Sequence, residues 1–104
     1  MNLPQLITIM WAGHYLADFP LQGEFIAQQK FDALHTAMGT HCLTAHAFIQ
    51  GLTAGVITQS FTAGIFVGAT HWLIDLGKTR NCYGINWDQG LHLTMIAVAA
   101  TWLS

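Results

Sequence analysis

Residues 33–74 form the longest uncharged run of the chain, ALHTAMGTHCLTAHAFIQGLTAGVITQSFTAGIFVGATHWLI, in which Asp, Glu, Lys and Arg do not occur. The run is long enough for two helices of about 20 residues, the length that crosses the apolar part of a bilayer. Shorter uncharged runs lie at residues 1–17 and 89–104. Over the whole chain 8% of residues are charged and 53% are hydrophobic, whereas an average soluble domain has about 25% charged residues. This composition predicts an integral membrane protein.

Three breaks divide the chain into four predicted membrane helices. They fall near Pro20, near Ser60 and between Gly77 and Gly84, because proline, glycine and short polar segments interrupt helices. We therefore predict a single integral membrane domain over residues 1–104, an all-α four-helix transmembrane bundle made of two helical hairpins. The predicted helices lie at about 3–19, 36–57, 61–77 and 88–104, with a short interfacial helix at 23–34.

The three basic residues indicate how this bundle is oriented. Lys30 lies in the first connection, and Lys78 and Arg80 lie in the third, so all three share one side of a four-helix membrane protein. Because Lys and Arg accumulate on the cytoplasmic side, we predict an inner (cytoplasmic) membrane protein with both termini on the opposite side. The predicted partner is the lipid bilayer, and a second copy or another membrane protein stays open. A net charge of −2 argues against nucleic acid.

Small residues flank the predicted turn between the second and third helices. Gly51-x-x-x-Gly55 ends the second helix, and Gly64-x-x-x-Gly68 begins the third. Small residues four positions apart let two helix backbones approach closely. We therefore expect these two helices to pack tightly against each other.

Two His-x-x-x-Asp pairs stand near the ends of the first and third predicted helices. They are His14 with Asp18 and His71 with Asp75. A spacing of four places both side chains on one helical face, about one turn apart. The second and fourth helices return from the same side with further polar residues: His41, Asp88, Gln89 and His92. The two hairpins share one order of polar residues, which indicates an internal repeat.

Imidazoles and carboxylates in this arrangement are typical ligands of a divalent metal such as Zn, Mn or Fe. Carboxylates are costly inside apolar segments, so these residues need a counter-charge. The predicted metal ligands are His14, Asp18, His71 and Asp75, completed by His41, Asp88 and His92. His46 is the least secure candidate, because it lies five positions after His41 instead of four.

A metal at the cytoplasmic end of the bundle could support hydrolysis of a phosphorylated or headgroup-like substrate. Basic residues near its mouth would attract such an anion. The predicted substrate contacts are Lys30, Lys78, Arg80, Gln22 and Gln89. Catalytic residues are not assigned, and whether the protein is an enzyme stays open.

Two other interpretations account for the same residues. His–Asp pairs that hydrogen-bond to one another or to the basic residues would form a structural polar core without metal, as in a non-enzymatic phage or bacterial modulator of another membrane complex. Asp and His on facing helices also form proton or ion pathways.

An ordered polar set covers nearly the whole chain: His14-x-x-x-Asp18-Phe19-x-x-Gln22, Lys30, His41, His71-x-x-x-Asp75-x-x-Lys78 and Asp88-Gln89-x-x-His92. Through this set the chain resembles a family of small multi-span membrane proteins of bacteria and their phages, to which no activity is assigned. The resemblance implies an inner-membrane location and a polar cluster central to the family's role. The chain is also similar, in size and in its helical His and Asp, to inner-membrane metal-dependent hydrolases, without a residue-by-residue match.

Overall fold

The computed structural model describes residues 2–18, 23–80 and 82–103. These residues form five α-helices and one 3-10 turn, and none of them lies in a β-strand. The helices are α1 (Leu3–Asp18), α2 (Glu24–Gln29), α3 (Ala37–Thr58), α4 (Phe61–Thr79) and α5 (Ile85–Trp102), and the 3-10 turn is Lys30–Asp32. The prediction of an all-α fold is therefore confirmed.

Hydroxyl side chains set the beginnings of α3 and α4. Thr36 precedes α3, and its Oγ1 accepts a hydrogen bond from the N–H of Gly39 at 2.9 Å. Ser60 precedes α4, and its Oγ accepts a hydrogen bond from the N–H of Ala63 at 3.2 Å. Such caps satisfy N–H groups that have no partner inside the helix. The predicted break at Ser60 is thus the start signal of the following helix.

The last helix begins at Ile85, not near residue 88 as predicted. Gly84 is its N-cap, and Asp88 lies in its first turn. A carboxylate there interacts favourably with the partial positive charge of the helix N-terminus. The helix therefore includes Ile85, Asn86 and Trp87, which the predicted boundary left in the preceding loop.

The four long helices enclose two layers of different chemistry. One end of the bundle has an apolar core, which consists of Met10, Ala54, Ala63, Val67, Ile96, Ala99 and Ala100. At the other end most of the large buried side chains are polar or charged, although Leu43 is buried there too. Because α1 and α4 end where α3 and α5 begin, the polar parts of all four helices meet at one level.

The helices α3 and α4 pack backbone to backbone at glycines. A Cβ atom at Gly51 would lie 2.8 Å from the carbonyl oxygen of Gly64, and one at Gly64 would lie 3.0 Å from the carbonyl oxygen of Gly51. These neighbours are backbone atoms, which cannot rotate away as a side chain can. The expected close packing of the second and third predicted helices is confirmed.

Adding a methyl group at this contact should destabilise the protein. We expect Gly51→Ala to lower the free energy of unfolding by about 1–3 kcal/mol, as overpacking of a tight contact does. Gly90 is the matched control, since it is an exposed helical glycine with open space around its Cβ position. Gly90→Ala should leave stability unchanged or raise it by up to about 1 kcal/mol. Denaturation of both variants measures the difference, and equal stability would contradict the packing.

The helix α2 and the 3-10 turn fold against the polar end of the bundle. The turn contacts both α3 and α4. Gly39 in α3 makes room for it, because a Cβ atom there would lie 2.5 Å from the carbonyl carbon of Asp32. Lys30 in this turn is buried. The segment predicted as one interfacial helix at 23–34 is thus a short helix and a turn that cover the polar end.

In the parts of the chain that the structure describes, no helix combines the length and the apolar character that crossing a membrane requires. The predicted transmembrane bundle and inner-membrane location are therefore not supported. Helix α1 has only 16 residues, and in the longer helices His, Gln, Thr and Asp lower the mean hydropathy.

Candidate metal centre

All four long helices and the 3-10 turn place side chains in the polar end of the bundle. Each of these side chains belongs to a residue that is at most 7% exposed. We call them the polar cluster: His14 and Asp18 of α1, Lys30 of the turn, His46 and Gln50 of α3, His71 and Asp75 of α4, and Asp88 and His92 of α5.

Helical periodicity decides which histidine of α3 enters the polar cluster. The buried side of α3 contains Cys42, His46 and Gln50, which follow one another at intervals of four. His41 lies about 140° around the helix from His46 and is exposed. The structure thus places His46 in the polar cluster and leaves the predicted ligand His41 outside it. The interval of four from Cys42 through His46 to Gln50 is the sequence signal that distinguishes the two.

Asp18 contacts side chains from three other helices. Its Oδ1 lies 2.9 Å from Nε2 of His46 and 3.6 Å from Nε2 of His71. Its Oδ2 accepts a hydrogen bond from Nε2 of Gln89 at 2.9 Å. Asp18, His46 and His71 offer ligand atoms that all lie within 4.8 Å of one another, so this set has the geometry to hold a metal ion.

Asp75 is the centre of a second set. Its Oδ1 lies 3.3 Å from Nε2 of His92, and its Oδ2 lies 3.8 Å from Nδ1 of His71. The ligand atoms of His71, Asp75 and His92 also lie within 4.8 Å of one another. Unlike Asp18, Asp75 has an ammonium partner, because Nζ of Lys30 is 3.0 Å from its Oδ2.

His71 lies between these two carboxylates and belongs to both sets. Neither of its ring nitrogens has a hydrogen-bond partner in the described part of the chain, although the residue is only 2% exposed. Each unpaired buried polar atom costs about 1–3 kcal/mol. The ring of His71 stacks on that of His92 with centroids 3.9 Å apart. Its two nitrogens therefore stand near carboxylates without bonding to them.

Gln89 joins the polar cluster to a network of hydrogen bonds. Its Oε1 pairs with Nε2 of His14 at 2.9 Å, and its Nε2 donates to Asp18 and to Oδ2 of Asp88, the latter at 3.1 Å. The side chain of Gln50 donates to the backbone oxygen of His14 at 3.1 Å. Gln89, predicted as a substrate contact, thus orients cluster residues, and His14 is held from two sides.

Both predicted substrate-binding lysines face carboxylates of the polar cluster. Lys30 is buried against Asp75, and Nζ of Lys78 lies 3.8 Å from Oδ2 of Asp88. Both cations therefore neutralise charge in the interior.

Arg80 has a third position, away from the polar cluster. It donates a hydrogen bond to the backbone oxygen of Ala33 and contacts Nε2 of His35, so it holds the segment between the 3-10 turn and α3. The predicted contact Gln22 lies outside the described residues. The structure therefore does not bring the predicted substrate contacts together at one opening.

Burial and hydrogen bonding oppose each other at the two central carboxylates. Burial alone would raise the pKa of Asp18, but the neighbouring His46, His71 and Gln89 outweigh it and hold that pKa far below its usual value. Burial is likewise outweighed at Asp75, where His92, His71 and Lys30 lower the pKa. Both carboxylates are therefore ionised at neutral pH, the state in which they bind metal.

The two stacked histidines differ in protonation. Burial lowers the pKa of His71 to about 4, despite the carboxylate beside it. At His92 burial also acts to lower the pKa, but Asp75 and Asp88 outweigh it and raise the pKa to about 9. At pH 7 His71 is therefore a neutral imidazole with a free lone pair, whereas His92 carries a proton.

These features define a helical bundle with a buried histidine–aspartate centre. A family model described as "Protein of unknown function (DUF3307)" matches residues 6–104, and the chain belongs to this family. No curated protein and no solved structure matches the chain. The predicted membership of a family without an assigned activity is thus confirmed, while the match does not bear on a membrane location or a phage source.

Removing the charge of Lys30 should leave Asp75 buried without its ammonium partner. We expect Lys30→Met to lower the free energy of unfolding by about 3–5 kcal/mol, the usual cost of breaking a buried ion pair from one side. Adding Asp75→Asn should restore part of the loss. Denaturation with a chelator present measures both. Lys78→Met is the control and should cost less, because that side chain is 28% exposed and its Nζ lies 3.8 Å from Asp88, against 3.0 Å between Lys30 and Asp75; equal losses would contradict the assignment.

His92 should make the metal-free protein less stable at alkaline pH. Its pKa is raised to about 9 in the folded protein, against about 6.5 in an unfolded chain. The stabilisation is therefore complete below about pH 6.5 and is lost as the pH rises through about 9. Thermal unfolding across this range, with a chelator, measures the loss. His92→Gln should flatten this part of the profile, and a flat wild-type profile would refute the expectation.

Proposed function

We propose that the protein binds one divalent transition-metal ion through Asp18, His46 and Nε2 of His71. The observation that carries this proposal is the state of His71, a buried imidazole whose two nitrogens have no hydrogen-bond partner in the described residues. Its neutral form offers a lone pair to a metal. An ion beside Nε2 would satisfy that nitrogen and compensate the ionised carboxylate of Asp18.

Several distances in the polar cluster favour metal ligation over hydrogen bonding. Two ligands about 2.1 Å from a tetrahedral ion lie about 3.4 Å apart, whereas an N–H···O hydrogen bond spans about 2.7–3.2 Å. Nε2 of His71 is 3.6 Å from Oδ1 of Asp18, and Nε2 of His46 is 3.7 Å from Oδ2 of Asp75. The Asp18–His46 distance of 2.9 Å would lengthen by a few tenths of an ångström, as an ion requires.

The distribution of charge favours a metal ion beside Asp18 over one beside Asp75. The ion-pair partners of Asp18 are His46 and His71, while Asp75 has Lys30 as a counter-ion. A divalent ion gains more from a carboxylate that no ammonium group neutralises. A protonated His92 also opposes a cation on the side of Asp75. The ion should therefore lie nearer α1 and α3 than α5.

Two imidazoles with one carboxylate suit zinc, manganese or ferrous iron. Asp75 is near enough to complete the coordination, since its Oδ2 lies 3.7 Å from Nε2 of His46. Gln89 would act behind the ligands, because its hydrogen bond to Asp18 orients that carboxylate. Zinc is the suitable ion for a binding test, because it takes four ligands and has no redox chemistry.

The burial of the centre favours an ion that is held over one that is used in catalysis. Catalytic metals need an open coordination position and a route for substrate. The residues of the polar cluster are at most 7% exposed, so a substrate would have little access to an ion held there. Hydrolysis of a phosphorylated or headgroup-like substrate stays a prediction.

Metal binding is tested on the purified, untagged chain by mass spectrometry and by zinc titration after chelation. The wild type should bind close to one ion per chain. His71→Gln should weaken zinc binding by more than about 100-fold, since even the loss of a supporting residue behind the ligands costs 10- to 100-fold. His41→Gln is the matched control, because His41 is exposed on α3, and it should bind as the wild type does. A wild type that takes up no ion refutes the proposal.

Substitutions on the two sides of His71 locate the ion. Asp18→Asn and His46→Gln should each abolish tight binding, while His92→Gln should retain it. The reverse result would move the ion to the set of His71, Asp75 and His92, whose geometry is the second that the structure offers.

A structural core without metal is the second candidate function. The observation in its favour is that the carboxylates already have partners, with Lys30 3.0 Å from Asp75 and His46 2.9 Å from Asp18. In that case the wild type binds no metal, and His71→Gln alters stability alone. The predicted alternative of a non-enzymatic modulator of another membrane complex is compatible with such a core.

A further inference from the structure

In this bundle the large buried side chains are mostly polar, and many large apolar side chains are exposed. The largest fully buried side chains are Leu43, His14, His46, His71, Gln50 and Asp88, so all but one are polar. The apolar core consists largely of alanine. In water-soluble folds the large apolar side chains are the ones that are buried. In this protein many of the large apolar side chains are instead exposed.

Large apolar side chains are exposed on each of the four long helices. Examples are Leu16 on α1, Leu52 on α3, Phe61 on α4 and Trp102 on α5, of which Phe61 is 84% exposed and Leu52 is 68% exposed. Among the described residues, the exposed positions of these four helices include no Asp, Glu, Lys or Arg. The exposed apolar surface thus surrounds the bundle and is not confined to one patch.

Charge on the surface is confined to one end of the bundle. Glu24 and Asp32 are exposed and Lys78 and Arg80 are partly exposed, and all four belong to the end that holds the polar cluster. The segments 2–10, 52–66 and 96–103, which form the other end, contain no charged side chain. The molecule is therefore amphipathic along its long axis.

From this distribution we infer that the acyl chains of a lipid bilayer cover the exterior of α1, α3, α4 and α5, with the charged end at the headgroups. A second copy of the chain is the less suitable occupant. A standard interface covers about 800 Å² per partner and has a polar rim, so it would occupy one face and leave the other apolar faces in water. Hydrocarbon covers every side at once and requires no polar rim.

The low mean hydropathy of the helices does not oppose lipid contact. His14, His46, Gln50 and Asp75 lower that mean, yet each is at most 2% exposed. Lipid would meet the exposed side chains alone, and buried polar groups in a bilayer characteristically face the interior of a bundle. The lipid contact is independent of the metal ion, since it depends on the exterior and the metal site depends on the interior.

Spin labels on the full chain test this contact directly. Leu52→Cys and Ile65→Cys, each in a Cys82→Ser background, would carry a nitroxide on the surface of α3 and of α4. The protein is reconstituted into vesicles of phosphatidylcholine and phosphatidylglycerol. Oxygen concentrates in hydrocarbon, whereas a charged nickel chelate stays in water. At both positions we expect oxygen to collide with the label several-fold more often than the chelate does.

A label at Asp32→Cys is the matched control. Asp32 is also exposed but lies at the charged end, so there the chelate should collide with the label more often than oxygen does. Cys42 is buried, and the Cys82→Ser parent measures any label that it takes up. Chelate access at residues 52 and 65 would show that they face water and would overturn the inference. Exclusion of both reagents, with dipolar broadening between labels, would show that a second copy covers this surface and would equally overturn it.

Discussion

The burial of three carboxylates among four histidines is the constraint on which this fold depends. Asp18, Asp75 and Asp88 come from three different helices, and each must meet a donor or a cation because an uncompensated buried charge is prohibitive. Those partners are available only if the long helices converge at one level and the 3-10 turn brings Lys30 inside. The polar contacts therefore determine the register of the helices, a task that a core of small alanines performs poorly.

The two ends of the bundle divide the work of holding it together. At the apolar end, glycines such as Gly51 and Gly64 let α3 and α4 approach until their backbones are in contact. Close packing of the two backbones takes the place of large apolar side chains there. At the polar end, Gln89 joins α5 to His14 and Asp18 of α1. Because small and polar residues fill the interior, the large apolar residues lie on the surface.

Much of this organisation follows from spacing in the chain. Local spacing predicts the two His-x-x-x-Asp pairs, the glycine contact and most of the helix boundaries, but not the start of α5 or the division of the segment 23–34. The choice between His41 and His46 was less evident, because it depends on which side of α3 faces its neighbours. The burial of Lys30 could not be predicted from local spacing, since its partner Asp75 lies 45 positions further along the chain.

Local patterns in the chain specify its helices and the residue types at its polar end, because helix propensity, caps and intervals of four act within a few residues. The packing of the helices places His71 between Asp18 and Asp75 with no hydrogen-bond partner among the described residues, lets Gln89 orient the polar cluster and keeps Arg80 apart from it. Distances of this kind depend on how four helices cross. No single helix encodes the place where its face meets the other three.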